Sequence, residues 1–330
     1  MDEAVVHLHP SLICNLSCSH CYSTSSPRRR QALGVEPVLS NLAFLANQGY
    51  RVLSVSGGEP FLYQDLVRLV EGAHSTGLRV HVITNGTVRL PKQLQNKPDF
   101  FDLVAVSLDG APDRHDRIRR RDGAFGRAVG MLRQLRDLGC RTAVVSCVTR
   151  GAIPELPDLY ETCEREGVGL LALRPVVAVG RGRSLLASHE DEGLLPGDLL
   201  RLKLMAQVLD SATSTRVRAD VAFAGDIRAA ANREYPFLNE PDRADLAANI
   251  NPLVIREDGT FLPFVYGISD RFALGRMAQD PAELGQSLQR NLPVIATLVC
   301  DALSSLPSSD EICVDWFDHM LRRSELSSVR

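Results

Sequence analysis

Three cysteines fall within eight residues near the start of the chain, Cys14, Cys18 and Cys21, in a C-x-x-x-C-x-x-C array. Thiolate is a soft ligand that selects iron–sulfur clusters, zinc or copper(I). Three thiolates can carry a cluster of four irons and leave one iron without a protein ligand. Structural zinc prefers four closed ligands, usually as two separated pairs. His20 lies inside the array and offers a fourth ligand, so the triplet alone leaves zinc open. Further along, Ser56-Gly57-Gly58-Glu59-Pro60 closes one β-branched run, Thr84-Asn85-Gly86 a second and Ser107-Leu108-Asp109-Gly110 a third. Paired glycines at a strand end let backbone approach a ligand closely. Glu59 then presents a carboxylate suited to the ammonium of an amino-acid ligand. Taken singly, each of these turns reads as an ordinary loop; their joint occurrence in phase with the strands points to one rim.

The elements that must position these groups alternate. The pattern predicts strands at Val5–Leu8, Val52–Ser56, Val80–Thr84, Leu103–Leu108, Thr142–Thr149 and Gly169–Arg174, with amphipathic helices near Val38–Gln48, Tyr63–Thr76, Phe125–Leu138 and Pro154–Glu166. Six β-α units imply parallel strands with right-handed crossovers. Apolar runs such as Leu103-Val104-Ala105-Val106 suit a sheet covered on both faces. Six units fall short of the eight of a closed barrel, so the expectation is an α/β fold built on an open, partial (β/α)6 barrel with its site at the strand C-termini. After Arg174 the rhythm changes. Gly180-Arg181-Gly182-Arg183 leads to a helix near Gly193–Ser211, and a hairpin is expected over Leu253–Val265, turning at Asp258-Gly259. The expected division is a barrel over residues 1–214 and a smaller α+β domain over 215–330.

The 330 residues are 45% hydrophobic and 23% charged, with a net charge of −3. This balance gives no general case for nucleic-acid or membrane binding. No apolar run has membrane-spanning length, and Met1-Asp2-Glu3-Ala4 lacks the basic start of an export signal. Eight cysteines in such a chain are too sparse for a disulfide scaffold, so reduced thiols and a cytoplasmic location are expected.

The cysteine array with Tyr22, followed by Gly57-Gly58-Glu59-Pro60, Thr84-Asn85-Gly86 and Ser107-Leu108-Asp109-Gly110, resembles the radical S-adenosylmethionine (SAM) enzymes over residues 1 to about 180. The resemblance implies one 4Fe-4S cluster on Cys14, Cys18 and Cys21, with SAM chelating the fourth iron. It implies that Gly57, Gly58 and Glu59 bind the methionine part, that Ser107 and Asp109 contact the ribose and that Tyr22 lies near the adenine. Arg119 and Arg127 are candidates for the SAM carboxylate, since a guanidinium suits that bidentate task; the run Arg117–Arg121 also reads as a solvated basic loop. The implied activity is reductive cleavage of SAM to a 5′-deoxyadenosyl radical that abstracts a substrate hydrogen.

The segment Ile255–Phe264 with Leu274-Gly275-Arg276-Met277 is similar to the start of the SPASM or twitch domains that carry auxiliary clusters in this subtype. Where the family pattern places a cysteine after the hairpin proline, this chain has Phe264, and only Cys300 and Cys313 follow residue 163. A degenerate, cluster-free domain is therefore expected. Without auxiliary clusters as electron acceptors, redox-neutral chemistry or hydrogen return to the substrate gains weight. Cys147, near the end of the fifth strand, is the candidate hydrogen donor ahead of Cys140 and Cys163. Small buried core residues are the plainer reading of all three. The analogy suggests a peptide substrate in ribosomal natural-product maturation, recognised by the C-terminal region or by a separate leader-binding protein, and an electron donor such as flavodoxin or ferredoxin; no nucleic-acid or membrane partner is expected. A small-molecule substrate, such as a sugar or nucleoside, is the alternative. The rivals from other classes are a zinc-binding protein using His20 and a non-catalytic scaffold.

Overall fold

The computed structural model describes residues 3–187, 193–212, 214–239, 246–277 and 280–326. The alternating segments fold as β1 (Val5–Leu8), β2 (Val52–Val55), β3 (Arg79–Thr84), β4 (Leu103–Ser107), β5 (Thr142–Val148) and β6 (Leu170–Pro175). The chain continues through β7 (Arg216–Ala219), β8 (Ala222–Phe223), β9 (Leu253–Ile255), β10 (Thr260–Pro263), β11 (Gly275–Arg276) and β12 (Cys313–Val314). Ten of these strands form one sheet in the order β11-β10-β9-β1-β2-β3-β4-β5-β6-β7. Neighbours from β9 through β7 run parallel, and β10 alone runs the opposite way, antiparallel to both β9 and β11. The expected partial barrel is the architecture found.

Strand periodicity of two sorts the side chains. In β3, Val80 and Val82 are fully buried while His81 and Ile83 are half-buried. The first set joins Val6, Leu8, Val104, Val106 and Val144 in a core packed under helices Val35–Asn47, Leu66–Ser75, Ala124–Asp137 and Leu156–Arg165. The second set, which includes His7, Ser54 and His81 in one register layer, lines the concave interior. A strand end therefore carries one side chain into the interior at every second position.

The segment after residue 214 is built into both flanks of this sheet. Strand β7 extends it beyond β6, and β9 pairs with β1 from Val6↔Leu253 to Leu8↔Ile255. The expected hairpin is β9–β10, where Asp258 Oδ1 accepts from Thr260 N at 3.0 Å. Strand β7 was not legible: Arg216-Val217-Arg218-Ala219 alternates charge and reads as surface. Phe264, at the position of the expected cysteine, is buried with φ 65° and packs edge-on against Tyr235 at 5.4 Å. Trp316, on helix Trp316–Leu326, donates to Tyr235 Oη at 2.6 Å, a docking contact. Among the described residues no helix is long and apolar enough to cross a membrane.

Candidate active site

The cysteine loop follows β1 and lies across the end of β2. Gly58 N donates to Ser11 O at 2.7 Å and Glu59 N to Ile13 O at 2.8 Å. A Cβ on Gly58 would sit 2.0 Å from Ile13 O, and one on Gly57, whose φ is 96°, 2.7 Å from Ser11 O. The two glycines therefore let the cysteine loop close onto β2, and the amides of Gly58 and Glu59 face loop carbonyls. Those two amides are therefore taken by the loop.

Cys14, Leu16 and Cys18 form a small buried group with Cys21 packed against it. N–H groups surround the sulfurs: Leu16 N lies 3.4 Å and Asn85 Nδ2 3.8 Å from Cys14 Sγ, and Arg119 Nη1 3.9 Å from Cys18 Sγ. Burial pushes the Cys14 thiol up to about 12 and raises Cys18 as well. Such thiols become thiolates when iron replaces their protons. Three soft donors ringed by N–H groups fit an anionic iron–sulfur cluster. Among the described residues no three His, Cys, Asp or Glu side chains converge as a ready-made single-ion site. His20, the fourth ligand of a zinc reading, turns its Nε2 to Asp109 Oδ2 at 2.9 Å.

Two buried carboxylates organise the strand ends. Glu59 accepts from Thr84 Oγ1 at 2.7 Å, Asn85 N at 2.9 Å and Phe61 N at 3.2 Å. Burial nonetheless raises its pKa against these bonds. A carboxylate has room for about four donors, so Glu59 ties β2 to β3 and keeps about one acceptor position. Asp109 is fully buried and accepts from Arg119 Nε at 2.7 Å, His20 Nε2 and, on its other oxygen, Cys147 N at 2.9 Å. Burial alone would raise Asp109; the Arg119 guanidinium and His20 reverse that and hold it well below the usual carboxylate range. Asp109 thus positions Arg119 and the β5 rim rather than offering an open carboxylate to a ribose, which corrects that expectation. Its own N–H donates to His115 Nδ1 at 3.0 Å, so His115 shapes this turn.

Arg119 is also not part of a solvated loop. It ends helix Pro112–Arg119 and is buried beside Cys18. Arg127 is exposed near the start of helix Ala124–Asp137, whose Ala128 packs against Gly86 at the β3 rim. No ion pair engages Arg127 among the described residues. Ser107, the last residue of β4, is half-buried on the concave side, in register with Val145. Tyr22 is half-buried, with its hydroxyl 3.4 Å from His9 Nδ1, and burial raises it to about 12. Cys147 faces the same interior, and burial raises its thiol pKa. Cys163 lies in the core, and Cys140 Sγ donates to Pro98 O at 3.4 Å.

Other residues of the site escaped the sequence. Tyr266 packs on Tyr22 at 5.1 Å and on His9 at 4.8 Å, and donates to Glu257 Oε2 at 3.1 Å. Arg181 binds the cysteine loop from outside: its Nε donates to Cys18 O at 2.7 Å, its Nη2 to Ser25 O at 2.8 Å and its backbone N to Cys21 O at 3.0 Å. Gly180, with φ 56°, permits this approach, since a Cβ there would lie 2.2 Å from Tyr22 O. An arginine between glycines just past a strand end was the available signal. A separate cleft of about 890 Å³, lined in part by Leu194, Leu199, Ile312, Asp315 and Arg322, includes none of Cys14, Cys18 and Cys21 in its lining.

A parallel partial barrel with a cysteine triplet at its strand ends defines a class. Residues 8–162 match the Radical SAM superfamily, and the chain carries a radical SAM domain. It is 29% identical over 184 residues to Fe-coproporphyrin III synthase of Methanosarcina barkeri, covering 55% of this chain and 45% of that protein. It is 29% identical over 169 residues to the sporulation killing factor maturation protein SkfB of Bacillus subtilis, covering 51% of this chain and 41% of that protein. These matches span less than half the length of either relative. Among solved structures, native anSMEcpe with bound AdoMet superposes with a TM-score of 0.67 at 16% identity, covering 98% of this chain and 96% of that one. At that identity the likeness is one of fold.

Proposed function

We propose that this chain is a radical SAM enzyme holding one 4Fe-4S cluster on Cys14, Cys18 and Cys21, and that it modifies a peptide during maturation of a ribosomally made natural product. The observation that carries the first part is the buried cysteine group ringed by N–H donors from Leu16, Asn85 and Arg119. When bound, the cluster would supply the electron that cleaves SAM to a 5′-deoxyadenosyl radical, which takes a hydrogen from the substrate. Glu59 keeps an acceptor position for the SAM ammonium, Arg127 is uncommitted and suits its carboxylate, Ser107 suits the ribose, and Tyr22 and Tyr266 form an aromatic wall for the adenine. Cys147, a thiol that burial keeps protonated, suits hydrogen return to a substrate radical.

The likeness to SkfB supports a peptide substrate. A small-molecule substrate is the second reading, favoured by the likeness to Fe-coproporphyrin III synthase. Electrons would come from a flavodoxin or ferredoxin, and a separate protein would bind a leader sequence. Phe264 and its packing on Tyr235 support a C-terminal segment that packs and recognises substrate without an auxiliary cluster. The test uses anaerobically reconstituted protein, reduced flavodoxin, SAM and a precursor peptide encoded beside the gene. Release of 5′-deoxyadenosine together with a mass change in the peptide is the expected result. Unchanged SAM would overturn the enzymatic reading, and 5′-deoxyadenosine with an unchanged peptide would move the substrate to the small-molecule class.

A further inference from the structure

The concave face of β5, β6 and β7 carries a charge arrangement that the cysteine loop does not use. Register partners on neighbouring parallel strands point to the same side of a sheet. Strand β6 pairs with β5 through Cys147↔Arg174, and with β7 through Ala172↔Arg218 and Leu173↔Ala219. Arg174 therefore shares a side with Cys147, and its Nε lies 3.2 Å from Asp220 Oδ2. Arg218 Nε lies 3.5 Å from the other oxygen of Asp220. Asp220 thus lies between the Arg174 and Arg218 guanidiniums, one on each carboxylate oxygen.

The Arg174 side chain remains 46% exposed, against 16% for Asp220. Its terminal nitrogens have no hydrogen-bond partner among the described residues. The charge is felt inside the barrel: burial, with Arg174 second, lowers His7 to about 3, so that histidine stays neutral and adds no competing cation. His9 is likewise lowered to about 3 by burial. The charge of Arg174 thus reaches the neutral His7 imidazole, the Cys147 thiol and Tyr22.

We propose that Arg174 is an anchor for a carboxylate of the substrate, gripping it through the terminal N–H pair and placing it beside Cys147. A planar guanidinium matches a carboxylate bidentately, and a charge-assisted pair of this kind is about twice as strong as a neutral one. This deepens the enzymatic reading by naming a group the substrate carries; the word "substrate" alone rests on that reading. The carboxylate belongs either to a peptide or to a small organic acid.

The two sources are separated by titration calorimetry on reconstituted protein saturated with SAM and left unreduced, so that binding is read without turnover. The probes are acetyl-Gly-Glu-Gly-amide, its Gln counterpart and glutarate. The Glu peptide or glutarate, or both, should bind about tenfold more tightly than the Gln peptide, equivalent to about 1.4 kcal/mol. The tighter of the two identifies the source. Arg174→Gln should abolish the difference, and Asp220→Asn, which removes the competing carboxylate, should enlarge it; the second variant serves if the first fails to fold. Equal binding of all three probes would overturn the proposal. So would discrimination that survives Arg174→Gln, or discrimination seen only when SAM is left out, which would give Arg174 to SAM. Failure of SAM cleavage would leave these titrations readable.

Discussion

At the ends of β2, β3 and β4 most of the polar groups are engaged by the protein itself. Glu59 takes three donors, Asp109 takes three, and the amides of Gly58 and Glu59 face the carbonyls of the cysteine loop. Across the mouth, at the ends of β5 and β6, the Cys147 thiol and the Arg174 guanidinium face the interior, the latter 46% exposed. One side is a finished frame that fixes three cysteines, as a rigid inorganic centre requires. The other side presents groups that can still bond to something that arrives. On the proposed function, the difference would divide the mouth into a part that holds the cofactors and a part that reads the substrate.

The frame should be intolerant where backbone meets backbone. Gly58→Ala puts a Cβ 2.0 Å from Ile13 O, so the cysteine loop must lift from β2. A loss of about 3 kcal/mol in stability and near-complete loss of iron are expected, measured by urea unfolding and metal analysis. Full iron loading in this variant would break the account of the frame.

Removing Arg119 tests the buried ion pair. Arg119→Gln leaves Asp109 with His20 and Cys147 N, at a cost of about 3 kcal/mol. The sign with pH follows from the depressed pKa of Asp109. A depressed carboxyl stabilises the fold above its unfolded value of about 3.9 and loses that contribution as pH falls through the folded value. The variant should therefore unfold at a higher pH than the parent in an acid titration followed by circular dichroism.

Asp315 lies outside both sides and titrates in the opposite sense. It is buried, caps helix Trp316–Leu326 through bonds to Phe317 N and Asp318 N, and burial raises its pKa to about 7. A raised carboxyl contributes stability at low pH that is lost as pH climbs from about 4 to about 7. Asp315→Asn keeps an N-cap side chain and should gain about 1 kcal/mol at pH 8, flattening the profile above pH 5. The smallest effect belongs to a glycine with space around it. Gly130, inside helix Ala124–Asp137, has nothing within 4 Å of a built Cβ, so Gly130→Ala should stabilise by about 1 kcal/mol in thermal melts. Together with Gly58 it shows whether close approach, and not glycine content, governs the frame.

Those contrasts also show what the residues announced. The cysteine spacing, the Gly-Gly-Glu segment and the strand rhythm lie in local sequence, and the six strands fall within a few residues of their expected places. The reason for Gly58 was hidden, because it depends on a loop returning from Ser11–Ile13. Arg119 looked like part of a basic surface run; the helix beginning at Pro112 turns it inward with His115 and Ile118, an i, i+3 pair that was readable in principle. Tyr266, Glu257 and Arg181 reach the site only through pairing over long separations, β9 onto β1 and the segment after β6 onto the cysteine loop. Such contacts leave no periodic trace.

The claim that the cysteine group carries a single cluster able to engage SAM is tested most directly by iron analysis and product analysis on one oxygen-protected, reduced preparation. About four irons per chain, with SAM converted to 5′-deoxyadenosine and methionine, is the expected outcome. A colourless protein holding one zinc, or an iron-loaded one that leaves SAM intact, would contradict it.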